Sequence, residues 1–178
     1  MSRKKYNSIE PEPAIVAESR SPYRLKTYVS LFSSAGVGCY GFKQENFYCI
    51  ATVELLERRL KIQKYNQKCA YDSGYICGDM TQKETQGRVF EELDLWRRNF
   101  NVKDLDVIVA TPPCQGMSVA NHKKKDELKR NSLVVESIKM VSKIQPKIFI
   151  FENVRAFLTS ICTDVDGQDK TIRNAIEL

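Results

Sequence analysis

Nothing in this 178-residue chain approaches the roughly 20 consecutive apolar residues that cross a membrane. The opening M-S-R-K-K-Y-N lacks the apolar segment of a secretory signal, so no membrane partner is expected. Six cysteines include no C-x-x-C spacing, and His122 is the sole histidine. Neither a zinc site nor a disulfide framework is supported, so no metal is expected and a reducing cytoplasm is the expected compartment. No G-K-[ST] follows any glycine turn, which excludes a phosphate-binding P-loop. Internal repeats and low-complexity tracts are also lacking. What remains is ordinary for a globular protein with room for one full core: 42% hydrophobic and 28% charged residues. A net charge of +6 and a pI near 9.0 mildly favour a polyanionic partner.

Residues 1–26, with Pro11, Pro13 and Pro22 among mixed charges, read as an irregular arm, and 27–178 as a single domain. Thr27 to Phe32 is the first strand, rich in β-branched and aromatic residues. A small-residue turn, Ser33 to Gly38, leads into a helix running to about Gln44. Phe47 to Val53 is a second strand ending at Glu54, Leu55 to Tyr65 has helical composition, and Tyr75 to Cys77 is a short third strand closed by Gly78-Asp79. Between Lys83 and Phe100, the residues Val89, Phe90, Leu93, Trp96 and Phe100 share one helical face and read as core. Leu105 to Ala110 (L-D-V-I-V-A) is a buried-strand run, followed by a polar loop to about Lys129. A helix from about Ser132 to Ile144 points Val134, Ile138 and Val141 inward, with Pro146 after its end. Lys147 to Phe151 (K-I-F-I-F) is the fifth strand. Strands alternating with helices across tight turns predict an α/β fold, a parallel sheet with helices on both faces.

Chemistry concentrates where strands end. In Thr111-Pro112-Pro113-Cys114-Gln115 two prolines fix φ and force the chain out of regular structure. Cys114 is thereby presented at the carboxyl end of a strand, where open α/β sheets place ligands. Glu152 stands at the equivalent point of the next strand, which makes a thiol and a carboxylate a candidate nucleophile and acid. The turn Ser33-Ser34-Ala35-Gly36-Val37-Gly38 lets a ligand approach free N–H groups at a helix start. Glu54 can accept the hydroxyls of a ribose, and Asp79 an adenine amino group. Gly36, Gly38 and Gly41 have G-x-G-x-x-G spacing, but it begins too late, inside the expected helix, for a dinucleotide. An adenosine-containing ligand without phosphate, such as S-adenosylmethionine, fits the two acids better. Cys39, Cys49, Cys69, Cys77 and Cys162 suit packing and are expected to be inert. A lone loop histidine such as His122 is usually polar surface, and no role is assigned to it.

In family order, S-L-F-S-S-A-G-V-G, the strand-end Glu54, G-D-M at Gly78 to Met80, P-P-C-Q, R-N-S-L at Arg130 to Leu133, and E-N-V resemble the amino-terminal half of a cytosine-C5 DNA methyltransferase. The resemblance runs from about Tyr28 to Leu178. It implies part of a Rossmann-like, S-adenosylmethionine-dependent methyltransferase sheet. It also implies that Phe32, Ser33, Ser34, Gly36, Glu54, Asp79, Met80, Pro113 and Leu133 contact the cofactor, with S-adenosylhomocysteine as product. Cys114 is then the nucleophile and Glu152 the residue that holds a flipped cytosine of duplex DNA. Gln115 and Ser118 would lie against the nucleic acid, and the run N-H-K-K-K-D-E-L-K-R offers Lys123, Lys124, Lys125 and Arg130 to its phosphates. A bacterial-type, nucleoid-associated enzyme of a restriction-modification system is the implied setting.

The chain departs from the family pattern in two ways. Ser34 and Val37 stand where the glycine loop usually has glycine. The arginine motif, target-recognition region and closing helix that follow in the family are not found before Leu178. Three expectations follow: one subunit of a split enzyme completed by a complementary chain, a truncated product, or a degenerate, non-catalytic assembly module. The tRNA-directed cytosine-C5 branch of the family is a further alternative.

Overall fold

The computed structural model describes residues 24–113, 124–164 and 166–176, with 124–132 as backbone alone. The expected arm therefore lies almost wholly outside the described residues. Strand β1 (Lys26–Leu31) is followed by a 3-10 turn and helix α1 (Tyr40–Gln44), then β2 (Phe47–Glu54) and α2 (Glu57–Tyr65). Next come β3 (Tyr75–Cys77), α3 (Lys83–Phe100), β4 (Val107–Ala110), α4 (Lys124–Ile144) and β5 (Ile148–Phe151). A small antiparallel pair, β6 (Ile161–Thr163) with β7 (Asp169–Thr171), and α5 (Ile172–Ile176) complete the order.

The five main strands form one parallel sheet in the order β3-β2-β1-β4-β5, as the alternation of strands and helices requires. Alternate side chains divide it into two faces. Val29 and Leu31 of β1 and Ile108 and Ala110 of β4 join Val89, Leu93, Trp96 and Phe100 of α3 and Met140 and Ile144 of α4. On the other face Tyr28, Val107 and Val109 meet Cys39, Phe42 of α1 and Leu60 of α2. A register shift, in which Tyr28 pairs with Cys49 and Val29 with Ala51, explains why Ile50 and Ala51 both serve the first cluster. Helices change faces across the β1–β4 pair, so the chain has a topological switch point there.

Three expectations need correction, and one element had none. The polar loop read up to Lys129 is helical from Lys124 onward, because K-K-D-E-L-K-R contains strong helix formers and no breaker. The K-I-F-I-F strand is not buried: Ile148, Phe149 and Ile150 are 57%, 44% and 40% exposed, since β5 is an edge of the sheet. Cys77 is exposed, whereas Cys39, Cys49, Cys69 and Cys162 are packed as expected. The β6–β7 pair was missed, although Asp166-Gly167, with Gly167 at φ 78°, is a turn signal between its strands. No described helix is long and apolar enough to cross a membrane.

Candidate functional site

The carboxyl ends of all five parallel strands are stitched into one rim by backbone and side-chain hydrogen bonds. Gly78 N–H donates to the Glu54 carbonyl at 3.1 Å and Ser33 N–H to Val53 at 3.0 Å. Thr111 N–H donates to Leu31 at 3.2 Å, and Glu152 N–H to Ala110 at 3.1 Å. The Asn153 side-chain amide donates to the Pro112 carbonyl at 2.9 Å, tying E-N-V to the turn that leads into Cys114. Cys114 itself lies outside the described residues, as do Gln115, Ser118 and Lys123. Lys124, Lys125 and Arg130 fall in the backbone-only part of α4.

The turn after β1 is held in an uncommon backbone state. Phe32 and Ser34 have φ of 55° and 48°, and Gly36 has 85°. Left-handed φ in non-glycine residues costs on the order of 1 kcal/mol each and persists only where surroundings enforce it. Those surroundings are identifiable. The Thr111 hydroxyl donates to the Phe32 carbonyl at 2.8 Å. Ser34 N–H donates to Glu54 Oε2 at 2.8 Å. On the opposite side, Gln63 of α2 donates from Nε2 to Ser33 Oγ at 2.8 Å and to the Ser34 carbonyl at 2.6 Å.

Glu54 is only 4% exposed. Besides Ser34, its carboxylate accepts the Leu56 N–H at 3.0 Å and the Arg59 guanidinium at 3.3 Å, both on Oε1. Asp79 is exposed at the end of β3, and its Oδ1 accepts the N–H and hydroxyl of Thr81, both at 2.9 Å. Gly78 precedes it because a Cβ there would run into the Thr85 hydroxyl of α3. The two acids thus stand at the ends of neighbouring strands, Glu54 buried and Asp79 exposed.

Phe32, Ser34, Gly36, Glu54, Asp79, Pro113 and Glu152 thus belong to one rim. Two expected residues, Met80 and Ser33, turn their side chains into the protein. Met80 is 2% exposed with its side chain in the main core, and its carbonyl accepts from Gln86 Nε2 at 2.8 Å. Ser33 is buried, and its hydroxyl donates to the Val53 carbonyl at 3.1 Å, so its side chain faces the protein. Leu133 is half-buried on α4. Sequence reasoning missed Gln63, Thr111 Oγ and Asn153 as the parts that hold the turns. Asn153 and Thr111 were adjacent to noted residues, whereas Gln63 sits in a polar helix with no signal at all.

The family model described as C-5 cytosine-specific DNA methylase matches residues 26–165. The type II methyltransferase M1.HgaI of Avibacterium volantium is 32% identical over 154 residues, 84% of this chain and 40% of that protein. M.AquIA of a Picosynechococcus strain is 30% identical over 133 residues, 75% of this chain and 50% of its own length. A solved structure of a DNA modification methyltransferase encoded within an E. coli prophage has a TM-score of 0.53 and 22% identity. It covers 75% of this chain and 33% of that one, and at such identity the likeness concerns the fold alone. The chain therefore spans half or less of the length of these relatives. With the family match running from β1 through the β6 strand, this chain belongs to the C-5 cytosine-specific DNA methylase family.

Proposed function

We propose that this chain supplies the cofactor-binding and catalytic half of an enzyme that methylates C5 of cytosine in duplex DNA, within a restriction-modification system. The observation that carries the reading is the shared rim, on which the Ser33–Gly36 turn, Glu54, Asp79 and Glu152 stand with Pro112 and Pro113, which precede Cys114 in sequence. The residues fit S-adenosylmethionine. Glu54 uses about three of the roughly four acceptor positions of a carboxylate. The Arg59 guanidinium, 43% exposed, is the partner that ribose hydroxyls can displace. Asp79 Oδ2 makes no bond among the described residues, which suits an adenine amine.

When bound, S-adenosylmethionine supplies an electrophilic methyl group. The protein's task is to make C5 nucleophilic. The Cys114 thiolate adds to C6 of a cytosine flipped from the duplex, which pushes electron density onto C5. Glu152, held at the rim by Asn153's neighbouring bond to Pro112, offers a carboxyl to N3 and the exocyclic amine. After methyl transfer, loss of the C5 proton and elimination of the thiolate restore Cys114.

A complementary polypeptide completes this assignment. The exposed apolar residues of β5, with Val154, Leu158 and Ile161 nearby in sequence, form an edge suited to further protein. Such an edge supports docking of a part that reads the target sequence.

Covalent trapping on duplex DNA carrying 5-fluorocytosine, with cofactor and a supplied carboxyl-terminal half, tests the proposal. Trapping should vanish in Cys114→Ser, and tRNA should not substitute for duplex DNA. Trapping that survives Cys114→Ser overturns the nucleophile. Cofactor binding without any trapping would instead indicate a non-catalytic module.

A further inference from the structure

We infer that Gln63 and Thr52 are positioning residues that set the shape of the Ser33–Gly36 turn. This inference rests on the proposed cofactor site for its functional consequence, but not for its structural one. Gln63 is 1% exposed, although it lies on a short, largely polar helix. Burying an amide that deeply costs several kcal/mol unless its donors and acceptor are matched. Here they are matched. The Thr52 hydroxyl donates to Gln63 Oε1 at 2.7 Å, which fixes which end of the amide faces the turn. Nε2 then has its two hydrogens for Ser33 Oγ and the Ser34 carbonyl. Lys68 Nζ donates to Thr52 Oγ1 at 3.1 Å, so the hydroxyl's acceptor side is used as well.

The geometry at Ser34 makes this network specific to the turn. Its N–H is held by Glu54 and its carbonyl by Gln63, so the residue at φ 48° is clamped on both sides. Gly36 packs so closely that a Cβ there would stand 3.0 Å from Gln63 Cγ. The residue that contacts the turn from behind is therefore on α2, not within the motif. Glu54 sits between them in the sense that it binds the same turn while being a candidate ligand for ribose. Without Gln63, the left-handed state of Ser34 keeps only the Glu54 bond, and that acid must serve both turn and ligand.

The test replaces Gln63 with Glu, which keeps volume and the oxygen facing Thr52 but removes both donors, and with Met, which removes all polar contacts. Hydrogen exchange should show at least tenfold loss of protection at the amides of Ser34 to Gly38, with the amides of β2 and β4 unchanged. Calorimetry with S-adenosylhomocysteine should show at least tenfold weaker binding. Thr52→Val, which removes only the orienting hydroxyl, should move both readouts in the same direction by less. It also serves if the Gln63 variants do not fold. Unchanged exchange at the turn in Gln63→Glu or Thr52→Val overturns the inference. If the unaltered chain does not bind the nucleoside, the cofactor reading fails, while the exchange result still decides the role of Gln63.

Discussion

Glu54 joins three segments through one carboxylate: the turn at Ser34, the chain at Leu56 and the helix at Arg59. Replacing it with Gln removes the charge and one acceptor oxygen while keeping the shape. Nucleoside affinity measured by calorimetry should fall at least tenfold, equivalent to about 1.4 kcal/mol. Glu92 is a different kind of acid. Burial raises its pKa, with Ser73 and then Arg88 opposing, and Oε2 lacks a partner among the described residues. Between the ordinary carboxyl pKa and this raised one, the folded state keeps a proton that the unfolded chain has lost, so stability falls as pH rises. Glu92→Gln should therefore raise the thermal midpoint at neutral pH. The gain should disappear below about pH 4, where both states of the parent are protonated. A midpoint gain that is the same at every pH would contradict this account.

At the scale of elements, α3 shows what a pattern can reveal. Val89, Leu93, Trp96 and Phe100 recur at helical spacing, and all four are buried against the sheet, as their sequence positions require. Trp96 packs edge-on or tilted against Tyr48, Tyr71 and Phe100, at centroid separations of 6.0, 5.9 and 4.9 Å. Trp96→Ala should cost about 3–5 kcal/mol in chemical unfolding, with no selective effect on the distant rim. Helix α4 was legible only in its second half, because its first turns have no apolar stripe to show a period. The strand-end positions of Glu54, Asp79 and Glu152 were legible because each follows a β-rich run. The network behind the Ser34 turn was not, since hydrogen-bond partners such as Gln63 lie 29 residues away from the groups they hold. Nor could an apolar run alone show that β5 is an edge, because exposure depends on which strand has no neighbour.

For the whole molecule, that edge defines the next contact. Ile148 and Ile150 alternate with Phe149 and Phe151, so both faces of β5 present apolar side chains. Ile150→Lys should leave the unfolding midpoint of the chain alone nearly unchanged, within about 0.5 kcal/mol for an exposed position. It should weaken association with a supplied carboxyl-terminal half by at least tenfold in light scattering or sedimentation. Equal loss of both would place Ile150 in the core of this chain instead. The sheet order has a kinetic consequence too. Val29 pairs with Ala51, 22 residues away, and with Ile108, 79 residues away. The longer closure costs about 1 kcal/mol more in chain entropy. Pulse-labelled refolding should therefore find β2 amides protected before those of β4. The Ser33–Gly36 turn would then gain its Glu54 and Gln63 bonds early and its Thr111 bond only when β4 docks beside β1.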